Sequence, residues 1–140
     1  MNFIVPTDFS TNAKYAAKYA AMLAQATNSN IRLLHIIAPP LFGDDKLDPT
    51  YKEKVASSKN EASIKLEELR TEIISGNIDI TCDHVTRVAE NSSENIVSIA
   101  LNIKADFIVM GTRGVGLIKK TLLGSNTASV IEDSPIPVFV

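Results

Sequence analysis

Apolar positions fall into two alternating patterns. Short, almost continuous apolar runs suit strands buried on both faces, and longer stretches show the three- and four-residue spacing of amphipathic helices. The first run is Asn2-Phe3-Ile4-Val5-Pro6, which Thr7-Asp8-Phe9-Ser10 ends. A helix is predicted over 11–28, with Ser10 or Thr11 as its cap and Ala13, Ala16, Ala17, Ala20 and Ala24 on one face. Small residues there let a helix lie close to a sheet. The second strand is predicted over 30–37, and an irregular, Pro- and Asp-rich segment over 38–49 follows. A long helix over 50–75 places Val55, Ala62, Leu66, Leu69 and Ile73 on one stripe and its charges on the wet face. Gly76-Asn77 should end it by left-handed preference.

A third strand is expected over 78–86. Asn91 and Glu94 then have the spacing of a capping box, before a helix marked by Ile96, Ile99, Ala100 and Ile103. Phe107-Ile108-Val109-Met110 is the fourth strand, and Thr127 to Glu132 has helical period. The fifth strand is expected over 134–140, with Pro135 and Pro137 suited to the start of an edge strand. Five strands alternating with four helices predict an α/β fold with a doubly wound parallel sheet.

The chemistry gathers between the fourth strand and the last helix. Gly111-Thr112-Arg113-Gly114 is followed after nine residues by Gly124-Ser125. Glycines after a strand let the backbone approach a phosphate, and a helix start supplies free N–H groups and partial positive charge. Two such corners could grip different phosphates of one nucleotide. Other glycine motifs fail. Gly111 and Gly116 have Walker A spacing, but Leu117-Ile118 follow instead of Lys-Ser/Thr. Gly114-Val115-Gly116 lacks the third glycine of the dinucleotide fingerprint, since Lys119 stands there.

The pattern Gly-x2-Gly-x9-Gly-Ser, following Ala105-Asp106-Phe107-Ile108-Val109-Met110, resembles the nucleotide-binding signature of the universal stress protein family. The resemblance spans essentially the whole chain. It includes Ile4-Val5-Pro6-Thr7-Asp8-Phe9-Ser10, Leu34-His35-Ile36 and Pro135-Ile136-Pro137-Val138. It implies strand order 3-2-1-4-5, the adenine nucleotide alpha hydrolase-like architecture, with a crevice between strands 1 and 4. It also implies ATP as ligand. Pro6, Thr7, Asp8, the Ile36 backbone, Met110, Gly111, Arg113, Gly114, Gly124, Ser125, Asn126 and Thr127 would form its site. Asp8 would serve the nucleoside end, where a carboxylate is not set against phosphate; its alternative is a turn or capping aspartate. Arg113 has two open roles, neutralising phosphate or offering only its backbone N–H. Mg²⁺ is a candidate companion, held mainly by phosphate oxygens and water. The sequence departs from the family at Ala89-Glu90-Asn91, where glycine-x-proline is common.

Composition narrows the setting. The chain has 140 residues, 45% hydrophobic and 21% charged, the profile of one globular domain; half of a tandem protein is the alternative. A net charge of −2 gives no electrostatic case for nucleic acid. No apolar run reaches membrane-spanning length and no leader is recognisable, so a cytoplasmic setting is expected. Cys82 is the one cysteine, which points to a reducing compartment and a packing role. His35 is expected to be packed within its strand.

Catalysis finds little support. The phosphate-end residues offer no His, Glu or Asp to orient a nucleophile. A nucleotide-binding regulatory module is therefore expected, with slow ATP hydrolysis or a dimeric interaction protein without nucleotide as alternatives. A receiver domain would want an acidic cluster near Asp8 and a lysine after the fifth strand, and has neither. An apolar edge strand needs a cover. That need and the resemblance together lead us to expect a homodimer through Ile136-Pro137-Val138-Phe139-Val140, or a tandem second domain in its place.

Overall fold

A computed structural model describes residues 1–40, 48–75, 79–112 and 123–140. The elements run β1 (Asn2–Pro6), α1 (Thr11–Thr27), β2 (Asn30–Ile37), α2 (Pro49–Ile74), β3 (Cys82–Val88), α3 (Ser92–Asn102), β4 (Phe107–Val109), α4 (Ser125–Asp133) and β5 (Val138–Phe139). All strand pairs are parallel, and the sheet order is β3-β2-β1-β4-β5. This is the expected order, with its reversal between β1 and β4.

Strand alternation divides the core in two. Phe3, Val5, Ile31, Leu33 and Val109 face α1 and α2, packing with Leu66, Leu69 and Ile73. Ile4, Leu34, Ile108 and Met110 face α3 and α4, packing with Ile96, Ile99, Ala100 and Val130. Neighbouring residues of a strand thus go to opposite cores, which is why its apolar runs are continuous.

Capping sets the helix starts. Ser10 accepts from the Ala13 N–H, Asp48 from Thr50 and Asn91 from Glu94. Pro49 is the first residue of α2, where its missing N–H costs nothing, so it leaves the irregular segment assigned to it. The remaining differences lie at ends. Of the strand expected over 78–86, residue 78 lies outside the described residues, and β3 begins at Cys82, because Thr81 hands its carbonyl to Ile31 and regular pairing starts from there. β5 is two residues long and not seven: Ser134 bonds the Ile136 N–H and carbonyl in a local turn, and Pro137 has no N–H to extend the ladder. α2 ends at an extended Ser75, and Gly76-Asn77 lie outside the described residues.

The alanine face works as anticipated. Ala13, Ala16, Ala17, Ala20, Ala21 and Ala24 are all buried. They bring α1 so close to the β4 exit that a Cβ on Gly111 would stand 2.9 Å from the Asn12 carbonyl carbon and oxygen. Those are backbone atoms and cannot swing aside.

Two predictions follow from this packing. Gly111→Ala should lower stability by about 1–3 kcal/mol in urea unfolding, since helix or strand exit must move; an unchanged midpoint would show that the contact yields freely. Burial pushes the Cys82 thiol up to about 11, against a smaller opposing pull from Arg70. At pH 8 the folded protein should therefore react with a thiol reagent far more slowly than the unfolded chain. Equal rates would contradict the burial.

Candidate functional site

The strand reversal places the carboxyl ends of β1 and β4 side by side, each followed by backbone that leaves the sheet. This is the position at which open α/β sheets have a crevice. The β4 exit is anchored on two sides: the Met110 N–H bonds the Phe139 carbonyl at 2.9 Å, and the Thr127 hydroxyl donates to the Gly111 carbonyl at 2.9 Å. The Gly124 N–H bonds the Thr112 carbonyl at 2.7 Å. Together the last two bonds fix the start of α4 against the glycine turn.

α4 differs from the other helices at that start. Its N-cap, Gly124, has no side chain to cap with, whereas α1, α2 and α3 are each capped by a side-chain oxygen. The first-turn N–H groups of Ser125, Asn126 and Thr127 thus point out of the helix without a side-chain acceptor from the cap. Gly124 itself is extended (φ −69°), so backbone geometry alone does not require glycine there. Ser125 and Asn126 are exposed and Thr127 is buried. Thr127 spends its hydroxyl hydrogen on Gly111, so toward the crevice it contributes chiefly its N–H.

The β1 exit forms the other flank. Pro6 and Thr7 are buried, and Asp8 is half-buried. Asp8 accepts from the Ser10 N–H at 3.0 Å, so the turn reading of this residue is realised. Thr7 donates its N–H to Leu34 and accepts from the Phe9 N–H at 3.0 Å. On β2, Ile36 packs its side chain into the α3/α4 core. Ladder alternation turns its N–H and carbonyl toward β1, past the point where pairing stops at Pro6 and Leu34. Met110 is likewise buried, so its backbone, not its side chain, borders the crevice.

Thus Pro6, Thr7, Asp8, Ile36, Met110, Gly111, Gly124, Ser125, Asn126 and Thr127 all belong to adjoining segments at one sheet edge. Arg113 and Gly114 lie outside the described residues, as do Lys119 and Lys120. Three features went unread in the sequence. Phe9 adopts left-handed backbone (φ 64°), Thr112 supplies the carbonyl for Gly124, and the His35 ring nitrogen Nδ1 lies 2.7 Å from the Thr7 carbonyl. Only the last had a signal, a polar ring in an apolar strand. Among the described residues no group of three His, Cys, Asp or Glu side chains could hold a metal ion. Nor is any helix among them long and apolar enough to cross a membrane.

Comparison with known proteins agrees with this architecture. The universal stress protein family model matches residues 1–140. A universal stress protein of Thermus aquaticus is 30% identical, over 95% of this chain and 92% of that protein. A solved structure of a Methanocaldococcus jannaschii universal stress protein superposes with a TM-score of 0.84 at 29% identity, covering 99% of this chain and 93% of the other. An Archaeoglobus fulgidus universal stress protein, solved in complex with dAMP, shares the fold with a TM-score of 0.67 at 23% identity, covering 99% and 95%. By sequence, strand order and the matched length, this chain belongs to the universal stress protein family.

Proposed function

We propose that this protein binds ATP at the β1/β4 crevice and acts as a nucleotide-dependent regulatory module in a cytoplasmic stress response. The observation that carries the reading is the uncapped start of α4, tied by Thr127 to the glycine turn after β4. First-turn N–H groups with the helix dipole behind them are a receptor for phosphate oxygens. Gly111 and Gly114 let the neighbouring loop approach, and Arg113 adds charge or a further N–H. At the other end Asp8 takes ribose hydroxyls, and the Ile36 N–H and carbonyl take the adenine edge. The dAMP complex of the Archaeoglobus fulgidus relative supports an adenine nucleotide as the ligand class. With no carboxylate or imidazole at the phosphate end among the described residues, binding and not turnover is the favoured activity.

The second part of the proposal is a homodimer through β5. Phe139 and Val140 are 41% and 53% exposed at the open edge of the sheet. Pro137 and Phe139 direct their carbonyls to β4, so alternation leaves the Val138 N–H facing outward for a second copy.

Two experiments test these claims. Protein purified from cells should release near-stoichiometric ATP on denaturation, identified by chromatography and mass spectrometry. Gly114→Val and Gly124→Val should each lose it, with at least about a tenfold fall in affinity, the upper end of what one neutral hydrogen bond is worth. An ADP-rich pool would favour slow hydrolysis. A wild type that is empty and also ignores added ATP would refute the reading in favour of a nucleotide-free interaction protein. For the dimer, Val138→Pro removes the outward donor without breaking a bond to β4. It should convert a dimer to a monomer in sedimentation equilibrium, and a wild-type monomer would end that part of the proposal.

A further inference from the structure

Pairing between β1 and β2 stops earlier than the strands require. Pro6 lies opposite Leu34, and the Thr7 N–H reaches the Leu34 carbonyl at 2.8 Å. In a parallel ladder the next two bonds on this side would run from the Ile36 N–H to the Thr7 carbonyl and from the Phe9 N–H to the Ile36 carbonyl. Neither bond forms: the Phe9 N–H is committed elsewhere, and the Thr7 carbonyl, which could accept twice, is turned to His35. The Thr7 carbonyl faces His35 Nδ1 at 2.7 Å, and the Phe9 N–H donates to the Thr7 hydroxyl at 3.0 Å. A carbonyl only accepts, so Nδ1 carries the hydrogen. The imidazole also packs on the Phe9 ring, with centroids 4.6 Å apart, and Lys65 Nζ lies 5.6 Å from the same ring centroid. Phe9 is thereby braced in its left-handed conformation (φ 64°).

We propose that His35 is a positioning residue that keeps the reading edge of β2 open. By donating to the Thr7 carbonyl and bracing Phe9, it ends the ladder one step early and leaves the Ile36 N–H and carbonyl unpaired for a ligand. Those two groups, side by side, present one donor and one acceptor in the plane of the sheet. They fit a flat heterocycle with an acceptor beside a donor, as on adenine. The occupant rests on the nucleotide reading given above; the interrupted ladder does not. His35 therefore acts through Thr7 and Ile36 and needs no contact with the base itself.

The test combines amide exchange at Ile36 in ligand-free protein, measured by NMR, with ATP titration of wild type, His35→Phe and His35→Asn. Phenylalanine keeps an aromatic ring against Phe9 but has no N–H, while asparagine can place an N–H where Nδ1 stood. In wild type the Ile36 amide should exchange about tenfold or more faster than that of Leu34 in the same strand. His35→Phe should let Ile36 pair with Thr7, slow its exchange toward that of Leu34, and weaken ATP binding about tenfold, the scale of one or two neutral hydrogen bonds. His35→Asn should restore both, and inorganic triphosphate should bind all three proteins alike. A wild-type Ile36 amide as protected as Leu34 would overturn the proposal without any variant, so a misfolded His35→Phe leaves the test intact. A folded His35→Phe with unchanged Ile36 exchange would overturn it too. If wild type ignores ATP while the Ile36 amide is open and depends on His35, the nucleotide reading fails and the positioning role stands.

Discussion

Every backbone N–H and carbonyl withdrawn from water needs a partner, and the carboxyl edge of this sheet is where strand partners run out. Within the strands the parallel ladder satisfies them. Between β1 and β4, where the chain order reverses, regular pairing ends at Ile4 and Ile108. The molecule then fills the deficit piecemeal. Thr127 takes the Gly111 carbonyl, Thr112 takes the Gly124 N–H, Thr7 takes the Phe9 N–H and His35 takes the Thr7 carbonyl. What this patchwork leaves open is the Ile36 pair at one end and the first turn of α4 at the other. Among the described residues, the Ile36 backbone pair and the α4 N-terminus thus mark out the two ends of this edge.

That arrangement depends on how closely α1 sits. Six buried alanines and a glycine replace the side chains that would usually separate helix from strand. Close packing gives up apolar area per residue but keeps density, and it fixes the first turn of α1 over the β4 exit at backbone contact. A helix held by leucines would stand farther off, and the turn from Thr7 to Ser10 would have to span more distance. α2 shows the contrast. It spends larger residues, Leu66, Leu69 and Ile73, on the β2/β3 side, where nothing but core lies beneath.

Much of this was legible in the sequence because it is periodic. Continuous apolar runs reported strands buried twice over, the alanine stripe reported a close helix, and Ser10 and Asn91 announced their helices. Periodicity alone did not give the strand order, which came from resemblance. Strand ends were poorly legible for a physical reason: β3 and β5 begin where a neighbour offers partners, and that depends on three-dimensional register. Ile80 is apolar but precedes the point where β2 can pair, and Ile136 is held by Ser134 instead of by β4. The site divided in the same way. Glycines and the helix start could be read, since their chemistry is local. The left-handed Phe9 and the His35–Thr7 bond could not, since each depends on a residue more than one element away.

The two ends of the crevice differ in how far an occupant could be felt. On the nucleotide reading proposed above, groups at the nucleoside end belong to β1 and β2, in the middle of the sheet, where a shift is resisted by ladders on both sides. Those at the phosphate end are held by single bonds. Gly111 directly follows Met110, whose N–H is bonded to the Phe139 carbonyl of the two-residue strand β5. A ligand that drew on the glycine turn would therefore pull on the edge strand through one peptide link and one hydrogen bond. A ligand engaging the base edge alone would have the whole sheet against it. On the same nucleotide reading, the phosphates would carry occupancy toward the edge strand, and the base would decide which nucleotide stays.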